Sequence, residues 1–141
     1  MTPRKALTVV LDTNFLLIPI RFGLDIRSEM GRVIEASFVL VTTPAVIEEL
    51  RQLETKVKPA EMKDIRFALG LASKMSVIDD KLAPGEKVDD QLLRLADNNG
   101  YIIATTDTGL RRRLREKGLP VVFLRQTRYL AIEGIINSKY S

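Results

Sequence analysis

The sequence predicts an α/β protein, a sandwich of helices around a mostly parallel sheet. Short apolar runs of strand length alternate with longer helix-length segments along the chain. Two of those runs are followed at once by acidic segments, at Asp12 and Asp107. In sheets of this kind, ligands gather outside the carboxyl ends of the strands.

Leu7–Leu11 is short and apolar with two valines, which suits a buried parallel strand. A loop or short helical turn follows, punctuated by Pro19 and Gly23. Residues 25–36 read as a helix, with Ile26, Met30, Val33 and Ile34 at helical spacing. Residues 38–41 form a second strand. Thr42 or Thr43 suits the cap of the next helix and Pro44 its first turn, and that helix runs to about residue 54. A further helix covers residues 59–74, and residues 76–78 are a weaker strand. Pro84-Gly85 makes residues 79–87 an exposed loop. Residues 89–99 form a helix that Gly100 stops. Residues 101–104 are a strand, 108–117 a helix ended by Gly118, and 121–124 the last clear strand. The tail, residues 126–141, has mixed character and is expected to dock on the domain or form a short helix. Without a repeat, low-complexity segment or linker, residues 1–141 read as one domain.

Composition narrows the chemistry. Hydrophobic residues are 45% and charged residues 28%, ordinary for a globular protein with a real core. No apolar stretch approaches the roughly 18 residues of a membrane span. Met1-Thr2-Pro3-Arg4-Lys5 lacks the apolar segment and cleavage site of a signal peptide, so a cytoplasmic protein with no membrane partner is expected. The absence of cysteine rules out disulfides and thiolate metal sites. The absence of histidine rules out Ser-His triads and imidazole ligands. Catalysis is left to carboxylates, lysines, hydroxyls or a bound metal.

Four acids carry the functional reading: Asp12, Glu49, Asp89 and Asp107. Asp12 follows a strand, with Thr13 and Asn14 placed to orient it or a metal-bound water; alone, Asp12 could equally be a turn-forming residue. At about 100° per residue, Val46, Ile47, Leu50 and Leu53 share one helix face. Glu48 points away from that face and Glu49 lies at its border, so Glu49 is the candidate. Asp89 is in phase with Leu92, Leu93 and Ala96, with Asp90 displaced as an auxiliary, although either could simply cap the helix. Asp107 precedes an arginine-rich helix and could cap it, and Thr105 can bind its carboxylate or a water. Carboxylates from distant parts of a chain repel one another and are tolerated together mainly around a divalent cation. Convergence of these four would make a hard-cation site of the kind that hydrolyses phosphodiesters.

The net charge of +4 and pI of about 9.5 permit a polyanionic partner. Arg111-Arg112-Arg113, Arg115 and Lys117 crowd one helical segment. Taken alone they are a solvated face; beside an acidic metal site they become a phosphate-holding surface.

In their order these residues resemble the PIN-domain ribonucleases, over nearly the whole chain. An apolar strand leads to Asp in Val9-Val10-Leu11-Asp12-Thr13-Asn14, and a helical Glu precedes Leu in Glu49-Leu50. Asp89 opens an apolar helix through Leu92-Leu93 to Ala96, and Thr105-Thr106-Asp107 precedes a basic helix. The resemblance implies a three-layer α/β/α sandwich, a Mg²⁺ or Mn²⁺ site held by Asp12, Glu49, Asp89 and Asp107, and endonucleolytic cleavage of RNA. Asn14, Asp90 and Thr105 would support that site, and Arg111, Arg112 and Arg115 would hold the RNA backbone. Two branches compete: toxins of the VapC type, which pair with an antitoxin, and nucleases of ribosomal RNA processing, which work among ribosomal assembly factors. Pro19-Ile20-Arg21-Phe22 and Gly118-Leu119-Pro120-Val121-Val122-Phe123-Leu124 look closer to the second branch. A homodimer is an expectation from the same family.

Other classes predict different behaviour. A non-catalytic RNA-binding or assembly module would bind RNA without metal-dependent cleavage. A phosphoryl-accepting domain normally has a lysine after a late strand, which residues 121–124 lack. A DNA nuclease would separate in an assay of matched strands.

Overall fold

The computed structural model describes residues 6–136; residues 1–5 and 137–141, on which the leader reading and the end of the tail fall, lie outside them. Strand β1 is Leu7–Leu11. A 3-10 turn, Asn14–Leu17, runs directly into helix α1, Ile18–Phe22, which ends at Gly23 with φ 65°. Helix α2, Ile26–Ile34, starts at Asp25, whose carboxylate accepts the Ser28 N–H. Strand β2 is Phe38–Thr42. Thr43, rather than Thr42, caps helix α3, Pro44–Lys56, by accepting the Val46 N–H at 3.2 Å. Helix α4 is Pro59–Ser73 and the short strand β3 is Ser76–Val77. Helix α5, Val88–Asn99, ends at Gly100 in the left-handed region, as the sequence indicates. Strand β4 (Ile102–Ala104), helix α6 (Thr108–Glu116), strand β5 (Val121–Arg125) and strand β6 (Tyr129–Glu133) complete the order.

The strands form one sheet ordered β3-β2-β1-β4-β5-β6. Every pairing is parallel except β5 with β6. The chain steps outward from β1 to β3, returns past β1 to β4, then steps the other way. Right-handed crossovers therefore place the two groups of helices on opposite faces. Helices α3 and α4 pack together with α1 and the 3-10 turn, while α5 packs on α6 and β4. This is the expected three-layer sandwich. Val9, Val10, Leu11, Ile102, Ile103, Val121 and Val122 are wholly buried, because both faces of the sheet are covered.

The described part of the tail docks on the domain, one of the two forms expected of it, as a strand and not as a short helix. The strand series does not stop at residue 124: the chain turns through Gln126 and Thr127, both at positive φ, and returns as β6. Leu130 is wholly buried and anchors the returning strand. Helix α2 covers the outer edge of β6. The Glu29 carboxylate accepts the Leu130 N–H at 2.9 Å, and the Arg32 guanidinium donates to the Leu130 carbonyl. An edge whose backbone groups are occupied in this way resists pairing with another strand.

Among the described residues no helix is long and apolar enough to cross a membrane. The point where the strand order reverses lies between β1 and β4. A crevice opens there at the carboxyl ends of both strands.

Candidate active site

The two central strands set the first half of the site. In register, Val9 pairs with Ile102 and Leu11 with Ala104. The Asp12 N–H donates to the Ala104 carbonyl at 3.0 Å, so the ladder continues one rung past β1. Asp12 is thereby held beside Thr105 at the end of β4. Its side chain is nearly enclosed, at 6% exposure. One carboxylate oxygen accepts the Thr13 N–H at 2.7 Å, and the other accepts the Thr105 hydroxyl at 2.8 Å. The Thr105 oxygen in turn accepts the Asp107 N–H at 3.0 Å. Asp107 Oδ1 accepts the Leu110 N–H at 3.0 Å and so caps α6. The Thr13 hydroxyl donates to Glu49 Oε1, linking α3 to the end of β1.

The capping reading and the site reading of Asp107 are therefore compatible. Asp12, Glu49, Asp89 and Asp107 line one pocket of about 320 Å³, together with Asn14, Lys87 and Val88. Glu48 does not line it, as the helical phase of α3 requires.

Crowding of the acids leaves an electrostatic trace. Burial, above all, pushes the Asp12 carboxyl up from 3.8 to about 6; the charges of Asp89 and Glu49 add to the rise, and the Thr105 and Thr13 hydrogen bonds oppose it. Burial also raises Asp89, followed by the charges of Asp107 and Glu49. Among the described residues, no three acids are arranged to hold an ion as their side chains stand. Asp12 accepts at both oxygens, Asp107 accepts from the start of α6, and Glu49 accepts from Thr13.

The supporting residues divide. Asn14 lines the pocket, and Thr105 orients Asp12. Asp90 lies outside the lining. It accepts the Lys87 N–H at 3.0 Å and pairs with Arg113 at 3.0 Å, so helix capping is its observed part. The arginines divide as well. Arg111 pairs with Glu133 of β6 and lies over the Phe123 ring, 3.5 Å from its centroid. Arg115 donates to the Leu119 carbonyl at 2.9 Å and fastens the loop before β5. Arg112 is exposed and makes no ion pair among the described residues.

Three features escape sequence reasoning. Lys87 lines the same pocket as the four acids, and its position before Val88-Asp89 is the only hint. Arg94 grips Asp80 at 2.7 Å and Glu86 at 2.8 Å, tying loop 79–87 to α5. Gln91 is wholly buried: its carbonyl accepts the Thr43 hydroxyl at 3.1 Å, and its amide donates to the Asp80 carboxylate at 3.0 Å. Through these bonds the start of α5, which carries Asp89, is fixed against the start of α3, which carries Glu49.

Residues 9–127 match the model of the PIN-like domain family. The chain is 28% identical over 131 residues to ribonuclease VapC4 of Methanocaldococcus jannaschii, covering 91% of this chain and 98% of that protein. It is 27% identical over 129 residues to ribonuclease VapC9 of Archaeoglobus fulgidus, covering 92% and 91%. It is 31% identical over 125 residues to the rRNA-processing protein FCF1 homolog of Mus musculus, covering 86% of this chain and 59% of that protein. Among solved structures, the PIN domain endonuclease Utp24 superimposes with a TM-score of 0.71 over 92% of this chain and 93% of that chain, at 22% identity; this likeness concerns the fold.

Proposed function

The chain belongs to the PIN-like domain family, and on that premise we propose that it is a divalent-metal-dependent endoribonuclease whose working residues are Asp12, Glu49, Asp89 and Asp107. The observation that carries this reading is the meeting of those four acids in one pocket at the reversal point of the sheet. The donor chemistry suits Mg²⁺ or Mn²⁺: carboxylate and amide oxygens, in a sequence without imidazole or thiolate. Asp12 and Asp107 would hold the principal ion, with Glu49 and Asp89 beside them. When bound, such an ion acidifies water and offsets the charge that builds on a reacting phosphate.

The protein's own groups do the rest. Thr105 and the Thr13 amide hold the Asp12 carboxylate in one orientation, so it does not have to reorganise when substrate arrives. Lys87 offers an ammonium, and Asn14 an amide N–H, to phosphate oxygens entering the pocket. Arg112 supplies an exposed charge for backbone phosphates further along the strand. Attack by water leaves a 5′-phosphate and a 3′-hydroxyl and needs no 2′-hydroxyl. RNA is preferred to DNA here because relatives are named ribonucleases.

A cleavage assay tests the proposal. Wild-type protein with Mg²⁺ or Mn²⁺ should cut a structured RNA, leave the matched DNA largely intact, and stop in chelator. Asp12→Asn should lower the rate at least a hundredfold. Equal cutting by both proteins would remove the site from the reaction. RNA binding without any cutting would favour the non-catalytic assembly module.

The relatives' names divide the cellular role between a toxin with an antitoxin partner and a ribosomal RNA-processing nuclease. A small antitoxin gene directly upstream would favour the toxin; its absence, with RNA cut at one ribosomal position, would favour processing.

A further inference from the structure

A second groove, of about 400 Å³, runs beside the carboxylate pocket, and Arg21, Phe22, Arg111 and Phe123 are among its walls. Asn14 lines both the groove and the pocket, and Thr105, which donates to Asp12, lines the groove. The groove is therefore continuous with the site at the residues that border and orient its central acid. Its walls have a different chemistry. Phe22, at the end of α1, is 44% exposed, whereas the apolar residues just before it in the turn and helix, Phe15, Leu16, Leu17 and Ile18, are buried. The fold has filled its core without this ring. Along the same groove, the Arg111 guanidinium carbon lies over the Phe123 ring. Arg21 and Arg111 each have a carboxylate partner, Asp64 and Glu133, but their side chains remain 41% and 34% exposed. Exposed pairs of this kind hold each other weakly, so an incoming phosphate can compete for the arginines.

Resting on the nuclease reading above, we propose that this groove is a nucleotide subsite. It takes one unpaired base of the RNA next to the scissile phosphate, with Phe22 and the Phe123-backed Arg111 as stacking partners. Aromatic rings and guanidinium planes stack on any base. The site accordingly selects strandedness and not sequence. A base inside a duplex has both faces covered by its neighbours and cannot enter. Cleavage is then confined to loops, bulges and ends, and Arg21 and Arg111 receive the flanking phosphates.

The test uses the full chain carrying Asp12→Asn, so that no strand is cut, in Mg²⁺. Fluorescence anisotropy measures its affinity for a labelled single-stranded oligoribonucleotide and for the same backbone with every base removed. The base-bearing strand should bind more tightly. Adding Phe22→Ala should weaken it about 5- to 150-fold, the range set by base–aromatic stacking. The base-free strand should be unaffected, and Phe22→Tyr should restore binding. Phe67→Ala is the control, since Phe67 is equally exposed at 46% and lies outside this groove. Equal binding of the two strands, an equal loss on both, or no effect of Phe22→Ala would overturn the proposal and point to a protein segment as the occupant. The nuclease reading is scored separately, with Asp12 intact. Base discrimination through Phe22 without metal-dependent cutting would defeat the nuclease reading and keep the subsite. Cutting that Phe22→Ala leaves untouched would do the reverse.

Discussion

Replacing Asp12 with asparagine should stabilise the metal-free protein while removing its activity. The folded carboxyl keeps its proton up to about pH 6, whereas the unfolded one releases it near 3.8. Below both values the group is neutral in either state, and ionisation costs the fold nothing. As pH rises through that window the unfolded chain loses its proton first, and the fold is progressively penalised. Above about pH 6 the penalty is complete. At about 1.4 kcal/mol per pH unit, it comes to about 3 kcal/mol. Asparagine removes the charge but also disturbs the acceptor pair that serves Thr13 N–H and the Thr105 hydroxyl. That loss costs about 1 kcal/mol. The net gain is about 2 kcal/mol, or roughly 7 °C in Tm for a domain of this size. Thermal unfolding in chelator, followed by circular dichroism from about pH 4 to pH 8, reads the difference between variant and wild type. Carboxylates remote from Asp12 titrate alike in both proteins and cancel. The advantage should be large at neutral pH, shrink as the solution is acidified, and shrink again when Mn²⁺ stabilises the wild type alone. A variant no more stable than wild type at pH 7.5 in chelator would refute the account of Asp12 as a buried, crowded charge.

Three further outcomes follow from the same structure. Asp107→Asn keeps an acceptor for the Leu110 N–H and should unfold near the wild-type temperature, whereas Asp107→Ala should lose about 1 kcal/mol with the cap; cleavage should fall in both, and unequal cleavage with equal stability would contradict this. Arg94→Ala should free loop 79–87 and speed tryptic cutting at Lys81 and Lys87, at a stability cost of about 1 kcal/mol. Arg94 holds the Asp80 and Glu86 carboxyls below their ordinary values, so this contribution is present above the usual carboxylate range and fades as pH falls through the lowered values; a wild-type–variant gap that widens in acid would speak against it. Gly134→Ala should cost about 1–3 kcal/mol, measured by urea denaturation, because Gly134 sits at φ 89° and an added Cβ would lie 2.9 Å from Pro120 Cα and press on Arg115; an unchanged midpoint would show that the end of β6 can shift freely.

Much of the site can be read from the sequence because its parts obey local periodicity. Asp12 and Asp107 follow apolar strand segments, and a parallel sheet places those ends together. Helical phase separates Glu49, at the border of the apolar stripe, from Glu48, which points away from it, and Asp89, in line with the stripe, from Asp90, displaced toward its edge. The sequence is silent where tertiary proximity decides. Nothing in a one-dimensional pattern says that Arg111 will meet Glu133, that Arg115 will turn to Leu119, or that Arg94 will hold two acids of the preceding loop. Gln91 is hidden for a similar reason: a polar residue beside an apolar stripe looks solvent-facing until Thr43 and Asp80 close over it. Strand β6 is missed because its turn passes through Gln126 and Thr127 at positive φ, without the glycine or asparagine that announces such a reversal.

The shared rung between Asp12 and Ala104 has a consequence for how such a protein can diversify. Neighbouring strands stand about 4.8 Å apart whatever their side chains, so the spacing between the Asp12 and Thr105 anchors is a property of backbone pairing and is insensitive to surface mutation. Glu49 and Asp89 ride on helices, and Phe22 ends a short helix of its own. The cleft thus has one wall set by backbone pairing and another set by helices, and on the proposed reading selection can reshape what is bound without moving the Asp12 end of the site.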